Sequence, residues 1–588
     1  MNNTTPFARS LSGFGGRLLA VALLAASFVS TPAGAQALPQ TWQEKNNFRS
    51  GPTPFEPLME FWYELARISP EVHIKPLTRT LLGRELTLVT LSKERVLTPQ
   101  DALRSGKTIV LIGSSVHGGE TAGKEAAQLV AKQLLAGDLR SALDDVIVLF
   151  IPLLNPDGGE VTRRTNEQGF DMNRDYIKLE SQEIRALVTQ VMNEWTPDIH
   201  VDAHHGGADP YTITWQATLN PAADAELRAF PYSEIFPRIR AALRARDYDG
   251  FDYSGPRTVN GARAWGSTSL EARKHHVYTG LTNSIGILTE TPRNGVRVMR
   301  DGTLKQIPEE ERYFHQVQGQ VIAMSEILRV AAEKRTQIRA VTTGARLRAI
   351  ANGTKGGDPI VLQHEVVSRG TEPVWMPDGE APGGYVLLNV PVYLQGRPTK
   401  TTTRPLGYIL PASMGNVLPR LFDHDIAVYR FTSPASLNVE AYDATKVKQA
   451  EYFQGHYLMK VEVERSNQKV DVPAGWYWIP TAQSRANLIS ELLEPESNDN
   501  IITWGWANHL LQVTPDSVEQ AETTLLEAVE GAALTDAQRA QIQARARMEM
   551  DRKQRVPMLR VVSEQPMPVL RVTPYNSYDR NRYFELYR

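Results

Sequence analysis

Four short apolar runs without polar alternation constrain the fold of this chain more than any other feature. They are Thr108–Gly113, Val146–Leu154, Ile199–Ala203 and Asn283–Thr289, and segments with helical periodicity lie between them. Such runs are typical of strands buried on both faces, and helices between them cover a mostly parallel sheet. We therefore predict an α/β fold with a mostly parallel or mixed central sheet and helices on both faces.

The sequence pattern changes twice along the chain and predicts the domain organisation. Residues 36–340 have the α/β pattern, and Pro308–Arg339 is predicted to be one long helix that closes this domain. Glycine, proline and β-branched residues predict a β-rich domain over residues 345–480. Residues 481–588 are expected to be helical and irregular, with helical patterns at Gln483–Leu493 and Val518–Met550.

The N-terminus has the three parts of a secretory signal. Arg9 and Arg17 precede the apolar stretch Leu18–Val29, and Ala33-Gly34-Ala35 supplies small residues for a signal peptidase. The apolar stretch is too short for a typical membrane span. We predict a signal peptide at residues 1–35, cleaved after Ala35, and a periplasmic or secreted protein.

Composition excludes several classes of site and partner. The chain has no cysteine, which excludes disulfides, thiolate metal sites and cysteine nucleophiles, so any metal must be held by His, Asp and Glu. The formal net charge of −2 gives no electrostatic reason to bind nucleic acid. No apolar run after the signal approaches spanning length, so we expect no membrane span in the mature chain. No feature specifies an oligomeric state.

A cluster of polar residues follows each of the four apolar runs. The clusters are His117-Gly118-Gly119-Glu120, then Asn155-Pro156-Asp157-Gly158, then His204-His205-Gly206-Gly207, and finally Glu290. The second cluster is followed by Arg164 and by Asp171-Met172-Asn173-Arg174. Ligand sites in open α/β sheets form at the carboxyl ends of the strands, so these clusters predict one common site.

His117 and Glu120 are the first candidates for metal ligands. They lie three residues apart at a glycine turn, where the backbone can bend enough for both side chains to reach one ion. Zinc accepts His nitrogen and carboxylate oxygen, and a catalytic zinc takes three protein ligands and keeps an open position. His204 is the natural third ligand, with His200 and His205 as competitors.

As a set, these motifs resemble the zinc carboxypeptidase family of the carboxypeptidase A type, and a large secreted bacterial member in particular. That family's successive motifs correspond here to HGGE, NPDG, GFDMNR, VDAHH and LTETP, in the same order, within about residues 100–295. The resemblance implies hydrolysis of a C-terminal peptide bond by a metal-activated water. It also implies one Zn²⁺ per chain, bound by His117, Glu120 and His204, and Glu290 as the general base and acid.

The resemblance further implies a peptide or peptide-like substrate with a free carboxylate. Arg164 would polarise the scissile carbonyl and stabilise its oxyanion, and Asn173 and Arg174 would bind the terminal carboxylate. Asp171 would orient the first histidine ligand. From the residues alone, Asp171 or Asp202 could supply the hydrogen-bond partner that a ligating histidine needs.

Two parts of the family's pattern have no clear match. For the tyrosine that covers the substrate, Tyr278 is the first candidate and Tyr253 the second. Side-chain specificity is expected to lie between about residues 250 and 280. In the C-terminal half, Phe453–Tyr457 and Leu492–Ser497 look similar to the extension of large secreted members, for which we expect a structural or substrate-restricting role.

Two other functions are compatible with parts of this pattern. A zinc amidase or deacylase acting on cell-wall peptides or N-acyl amino acids would use the same ligands and the same glutamate. An inactive zinc-binding or peptide-binding module is the other alternative. The presence of all three candidate ligands and Glu290 speaks against the inactive module.

Overall fold

The computed structural model describes residues 37–511 except 268 and 382, and residues 513–515, 535–554, 559–561, 565–574 and 584–587. The predicted signal peptide at residues 1–35 lies outside the described residues, as do residues 518–534 of the predicted helical stretch Val518–Met550.

The strands of the described chain follow in order: β1 (Val72–Arg79), β2 (Glu85–Leu91), β3 (Thr108–Ser114), β4 (Val146–Ile151), β5 (Ile199–His205), β6 (Ile213–Ala217), β7 (Gly250–Asp252), β8 (Gly255–Val259), β9 (Ala262–Gly266), β10 (Ile285–Thr291), β11 (Val296–Val298), β12 (Leu304–Gln306), β13 (Pro359–Pro377), β14 (Tyr385–Thr403), β15 (Gly407–Leu410), β16 (Tyr429–Phe431), β17 (Ala435–Phe453), β18 (His456–Val472), β19 (Tyr477–Pro480), β20 (Val513–Pro515), β21 (Leu559–Val561), β22 (Gln565–Val572) and β23 (Phe584–Leu586).

The α-helices are α1 (Trp42–Asn46), α2 (Phe55–Ile68), α3 (Pro99–Ser105), α4 (Ala122–Ala136), α5 (Pro156–Glu160), α6 (Gln182–Leu187), α7 (Asn193–Trp195), α8 (Ala225–Phe230), α9 (Phe236–Arg244), α10 (His275–Leu281), α11 (Glu309–Glu333), α12 (Arg335–Lys355), α13 (Leu418–Asp423), α14 (Ala486–Leu493) and α15 (Asp536–Gln554). None of these described helices combines the length and the apolarity that a membrane crossing requires.

The central sheet has the strand order β1-β2-β4-β3-β5-β10-β6-β7. Its middle four strands, β4, β3, β5 and β10, are parallel, and antiparallel strands flank them on both sides. These four strands are the four apolar runs of the sequence. The prediction of a mixed α/β sheet with a parallel centre is therefore confirmed.

Both faces of the central sheet are covered, which explains why its strands show no polar alternation. Val110 and Ile112 of β3 point into a core formed with α2, α4, α9 and α11. Ile109 and Leu111 point the opposite way, into a core that extends to Leu488 and Leu492 of α14 in the C-terminal half. The C-terminal half therefore covers part of one face of the sheet, together with helices α6 and α10 of the N-terminal half.

The C-terminal half is β-rich, as predicted, and is built on two long antiparallel ribbons. The first, β13–β14, adds to β9 of the N-terminal half through parallel pairing of Val392 with Trp265. The second, β17–β18, lies at one edge of a seven-stranded sheet of order β18-β17-β22-β15-β19-β16-β23. Strand β22 from the chain's end thus lies inside this sheet, next to β17.

Two predicted helices have different bounds in the structure. The long helix expected over Pro308–Arg339 is two helices, α11 and α12, because the backbone at Lys334 leaves helical values (φ −105°, ψ 19°). The helix expected over Gln483–Leu493 begins later, at Ala486.

Candidate metal centre and active site

The three predicted metal ligands converge at the carboxyl ends of β3 and β5. His117 is the third residue after β3, His204 is the penultimate residue of β5, and Glu120 lies two residues before helix α4. One ligand atom from each of these residues lies within 4.8 Å of the others. Adjacent parallel strands place their ends side by side, and this adjacency brings the two histidines together.

A backbone contact at Gly118 forms the turn between His117 and Glu120. A Cβ atom on Gly118 would lie 2.1 Å from the backbone carbonyl carbon of Gly158, a separation that no side chain can occupy. The turn at Asn155-Pro156-Asp157-Gly158 therefore packs directly against the turn that carries two of the ligands. Its Asn155 side chain donates to the backbone oxygens of Val116 and Arg164, which joins the two turns.

The Nδ1 atoms of both histidines face the Glu120 carboxylate. His117 Nδ1 lies 2.9 Å from Glu120 Oε1, and His204 Nδ1 lies 2.8 Å from Glu120 Oε2. The two Nδ1 atoms are 3.2 Å apart. Two nitrogen lone pairs and a carboxylate at this separation repel one another unless a cation lies between them.

A buried carboxylate binds the outer nitrogen of each histidine. His117 Nε2 lies 2.9 Å from Asp171 Oδ1, and His204 Nε2 lies 2.8 Å from Asp202 Oδ2. An ionised carboxylate can only accept, so each Nε2 carries a proton and each Nδ1 of a neutral ring is left as a free lone pair. The sequence left Asp171 and Asp202 as alternatives, and the structure places one behind each histidine.

The electrostatics of the cluster favour a positive charge at its centre. Burial alone would lower the pKa of His204, but the charge of Asp202 and the hydrogen bond to Glu120 raise it well above its usual value. Burial would raise the pKa of Glu120, yet hydrogen bonds to His117 and His204 lower it overall. A dication held by His117, Glu120 and His204 fits this donor set, which is the nitrogen and oxygen set that zinc accepts.

The two competing histidines are directed elsewhere. His205 Nε2 accepts the backbone N–H of Ala122 at the start of α4, at 2.7 Å, and burial lowers its pKa to about 4. His200 is buried within β5, with its Nδ1 3.4 Å from His275 Nε2. Neither ring belongs to the group of three.

Glu290 lies beside the metal cluster on the neighbouring strand. In the parallel pairing of β10 with β5, Glu290 is opposite His204. Its Oε2 is buried and has no hydrogen-bond partner among the described residues. A Cβ atom on Gly206 would lie 2.5 Å from this oxygen, so the glycine leaves room for the carboxylate. Burial raises the pKa of Glu290 to about 8, and a bound dication would lower it again.

Arg164, predicted to stabilise the oxyanion, and Arg174, predicted to bind the substrate carboxylate, have different surroundings. Arg164 is half exposed and donates to Asp171 Oδ2 at 2.9 Å and to Glu120 Oε1 at 3.2 Å. Arg174 donates to the backbone oxygen of Asn173, and it forms no ion pair with a carboxylate in the described part of the chain. Of the two, Arg174 is the guanidinium that keeps donors for an external carboxylate.

Asn173 lies at the site, but its amide is used within the protein. Its Nδ2 donates to Asp202 Oδ2 at 3.4 Å, and its Oδ1 accepts the backbone N–H of His275 at 2.9 Å. The side chain is 5% exposed. These contacts make Asn173 a support for Asp202 and for the start of α10, and they leave little of its amide for a substrate.

The structure does not place Tyr278 at the site. Its ring is fully buried in the core beneath the sheet, and its hydroxyl lies 2.9 Å from His424 Nδ1. The second candidate, Tyr253, is partly exposed and follows β7. Burial and the charge of Glu290 raise the pKa of Tyr253, while Arg174 lowers it. Tyr253 is therefore the tyrosine that faces the charged groups of the site.

Gln454 contacts the site although its place in the sequence does not indicate this. Its side-chain oxygen accepts the backbone N–H of Asp171 at 2.8 Å, across a separation of 283 residues along the chain. No local pattern signals a contact of this range. The motif Phe453–Tyr457 was the only indication in the sequence that this segment is unusual.

Comparisons with known proteins agree with this geometry. Residues 58–228 match the family model described as zinc carboxypeptidase. "Carboxypeptidase 2" of Trichophyton equinum is 24% identical over 486 residues, which cover 78% of this chain and 84% of that protein. "Carboxypeptidase 2" of Trichophyton rubrum is 23% identical over 485 residues, with the same coverage. Both are fungal proteins and lend no support to the expected bacterial subgroup.

A solved structure of a metallo-carboxypeptidase from Burkholderia cenocepacia is also similar. It shares 20% sequence identity and a TM-score of 0.35, covering 46% of this chain and 68% of that one.

The ligand assignment predicts which histidines a metal requires. His117→Ala and His204→Ala should each lose bound zinc, because each removes one of three donors. His205→Ala, the adjacent histidine that contacts Ala122, should retain it. Elemental analysis of the purified variants measures the zinc content. Full zinc in His117→Ala or in His204→Ala would show that the assigned ligands are wrong.

Proposed function

We propose that the chain is a zinc-dependent peptide hydrolase that releases C-terminal residues from peptides. The match of residues 58–228 to the zinc carboxypeptidase model supports this proposal. The observation that carries this proposal is the pairing of Glu290 with His204. It sets a buried carboxylate oxygen without a partner next to the three candidate ligands.

His117, Glu120 and His204 would hold the zinc ion. When bound, zinc supplies a Lewis acid that polarises a carbonyl and lowers the pKa of water. Asp171 and Asp202 hold the two imidazole rings in the tautomer that presents Nδ1 to the ion. The rings cannot rotate without breaking these buried hydrogen bonds, so the ligands are set before the ion arrives.

Glu290 would accept the proton of the attacking water and deliver it to the leaving amine. A general base needs a pKa near the working pH, and burial moves the pKa of Glu290 upward from that of an exposed glutamate. Because Oε2 has no hydrogen-bond partner among the described residues, it would be the acceptor for a water molecule. Glycine at position 206 lets the carboxylate pack against the backbone there, where a side chain would collide with Oε2.

Arg174 would bind the terminal carboxylate of the substrate, and Arg164 would stabilise the oxyanion. A guanidinium binds a carboxylate through two parallel hydrogen bonds, and Arg174 has donors that no described carboxylate takes. Arg164 is already hydrogen-bonded to Asp171 and lies next to Glu120, at the edge of the metal cluster.

Tyr253 would close the cleft over the substrate, in the role that was expected of Tyr278.

The expected division of the chain is consistent with these assignments. We retain residues 36–340 as the catalytic part, since every residue assigned a role above falls within it. Residues 345–480 and 481–588 would support it from the second face of the sheet.

We also propose that residues 1–35 direct export and are removed after Ala35, which gives a periplasmic or secreted enzyme. The arrangement of Arg9, Arg17, Leu18–Val29 and Ala33-Gly34-Ala35 supports the proposal. N-terminal sequencing of the protein from its native host should begin at Gln36. A mature protein that begins at Met1 would refute it.

Replacing Glu290 separates proton transfer from metal binding. Glu290→Gln keeps the size of the side chain and removes the proton acceptor. We expect kcat to fall by about 10²- to 10⁴-fold, the usual contribution of general acid–base catalysis, with zinc content unchanged. The exposed Glu56→Gln is the control and should have normal activity. A near-normal rate in zinc-loaded Glu290→Gln would remove Glu290 from the mechanism.

A second test asks whether Arg174 binds the carboxyl terminus. Amidation of a peptide's C-terminus should abolish most cleavage by the wild type and change little in Arg174→Ala. Each change alone should cost about 2–5 kcal/mol in kcat/KM, and the two losses should not add because the groups are in contact. The exposed Arg246→Ala should behave as the wild type. If the wild type cleaves amidated and free peptides equally well, an amidase or endopeptidase activity replaces this proposal.

A further inference from the structure

The ribbon formed by β17 and β18 ends at the active site. Its two strands close at the pair Phe453 and His456, with Gln454 and Gly455 as the two residues of the turn. We refer to residues 453–456 as the hairpin tip. The tip belongs to the C-terminal half but contacts the segment 170–180, which carries Asp171, Asn173 and Arg174.

The main polar contact of the tip is to the backbone of Asp171. Gln454 Oε1 accepts the Asp171 N–H at 2.8 Å. Asp171 in turn accepts from His117 Nε2 through Oδ1 and from Arg164 through Oδ2. It also begins the short 3₁₀ turn Met172–Arg174 by accepting the Asn173 N–H. The residue that Gln454 holds is therefore the residue that orients a metal ligand.

The backbone of the tip is unfavourable for glutamine. Gln454 has φ of +50° and Gly455 has φ of +85°. Two-residue turns with positive φ at both positions favour Asn, Asp or Gly, and a longer side chain at the first position costs free energy. Asparagine would suit the turn better, but its side chain is one methylene shorter. Strained backbone positions of this kind are concentrated at functional sites.

Further contacts hold the tip against the same segment. Lys178 Nζ is fully buried, donates to the backbone oxygen of Gln454 at 3.4 Å, and lies 4.7 Å from the centre of the Phe170 ring. His456 Nε2 lies 2.8 Å from Glu180 Oε1. These contacts fix the tip on both sides of Gln454, so its amide is held in place rather than free to rotate away.

The tip also contacts the segment that leads into α10. The guanidinium of Arg273 stacks 5.0 Å from the ring centre of Phe453 and 5.4 Å from that of Trp504. The Arg273 backbone N–H donates to Asp499 Oδ2, at 3.2 Å. Since His275 follows two residues later and donates its backbone N–H to Asn173 Oδ1, the C-terminal half also contacts the segment that adjoins Asn173.

We propose that Gln454 is a positioning residue for the zinc site, and that the C-terminal half sets metal affinity and turnover through its contact with Asp171. The expected effect of Gln454 on turnover rests on the proposed function, whereas its expected effect on zinc binding does not depend on any substrate. Without the acceptor, Asp171 gains freedom to move. The orientation of His117 and the placement of Arg164 then become less fixed.

The test compares variants of the full-length protein at this position. Gln454→Met keeps the length of the side chain and removes the oxygen, whereas Gln454→Glu keeps an oxygen at the same reach. Gln468→Met makes the same change at an exposed position of β18. The measurements are the dissociation constant of zinc by chelator competition, the visible absorption spectrum of the cobalt(II)-substituted protein, and kcat and KM on a peptide substrate.

We expect Gln454→Met to raise the zinc dissociation constant by about three- to tenfold. This change in zinc affinity is smaller than the change expected when a residue hydrogen-bonded to a metal ligand is removed. Gln454 contacts Asp171, which in turn contacts the ligand His117. The cobalt spectrum should change, kcat should fall by a similar factor, and KM should change less than twofold. Gln454→Glu should lie within about twofold of the wild type in zinc affinity, and Gln468→Met should match the wild type in every measurement.

Gln454→Gly controls for folding, since glycine adopts positive φ without cost. It should unfold at a temperature no lower than the wild type and still show the weaker zinc binding. Wild-type zinc affinity in both Gln454→Met and Gln454→Gly would overturn the proposal, as would an equal loss in Gln454→Glu. If the wild type binds zinc but releases no C-terminal residue, the proposed function fails while the zinc measurements still decide the role of Gln454.

Discussion

The site depends on two hydrogen bonds that point away from its centre. The bonds from His117 to Asp171 and from His204 to Asp202 determine which nitrogen of each ring faces Glu120. Without these two hydrogen bonds, each imidazole could adopt either tautomer. The two Nδ1 lone pairs would then face Glu120 in only some of the possible combinations. The parallel strands bring the residues together, and the buried carboxylates of Asp171 and Asp202 determine which nitrogen of each histidine is free to bind a metal.

These bonds also explain why so much of the chain is arranged around a few residues. Asp202 lies within β5 and is held by the central sheet itself. Asp171 lies in the connection between α5 and α6, outside any α-helix or strand. A loop of this kind needs external support to keep a buried carboxylate in place, and here Arg164, the 3₁₀ turn and the hairpin tip supply that support.

The centre of the fold and the convergence of the three candidate ligands could be predicted from the sequence because both follow from local patterns. The apolar runs mark the parallel strands, and the polar residues that end them meet at one edge of the sheet. The prediction failed where tertiary packing decides. Tyr278 lies on α10, a helix whose residues are all buried, so no amphipathic pattern shows which face meets the cleft. The break at Lys334 has no proline or glycine to mark it. The contact of Gln454 with Asp171 joins distant parts of the chain, which no local pattern can report.

The position of β22 in the C-terminal sheet has a consequence for the order of assembly. This strand, residues 565–572, pairs with both β17 and β15, and its fully buried Arg571 forms ion pairs with Glu440 and Glu494. Arg571 and Glu440 are separated by 131 residues along the chain, so β22 reaches its place only after a long loop has closed. The two strands of the long ribbon can pair locally, whereas their neighbour β22 joins the sheet through this slower, long-range pairing.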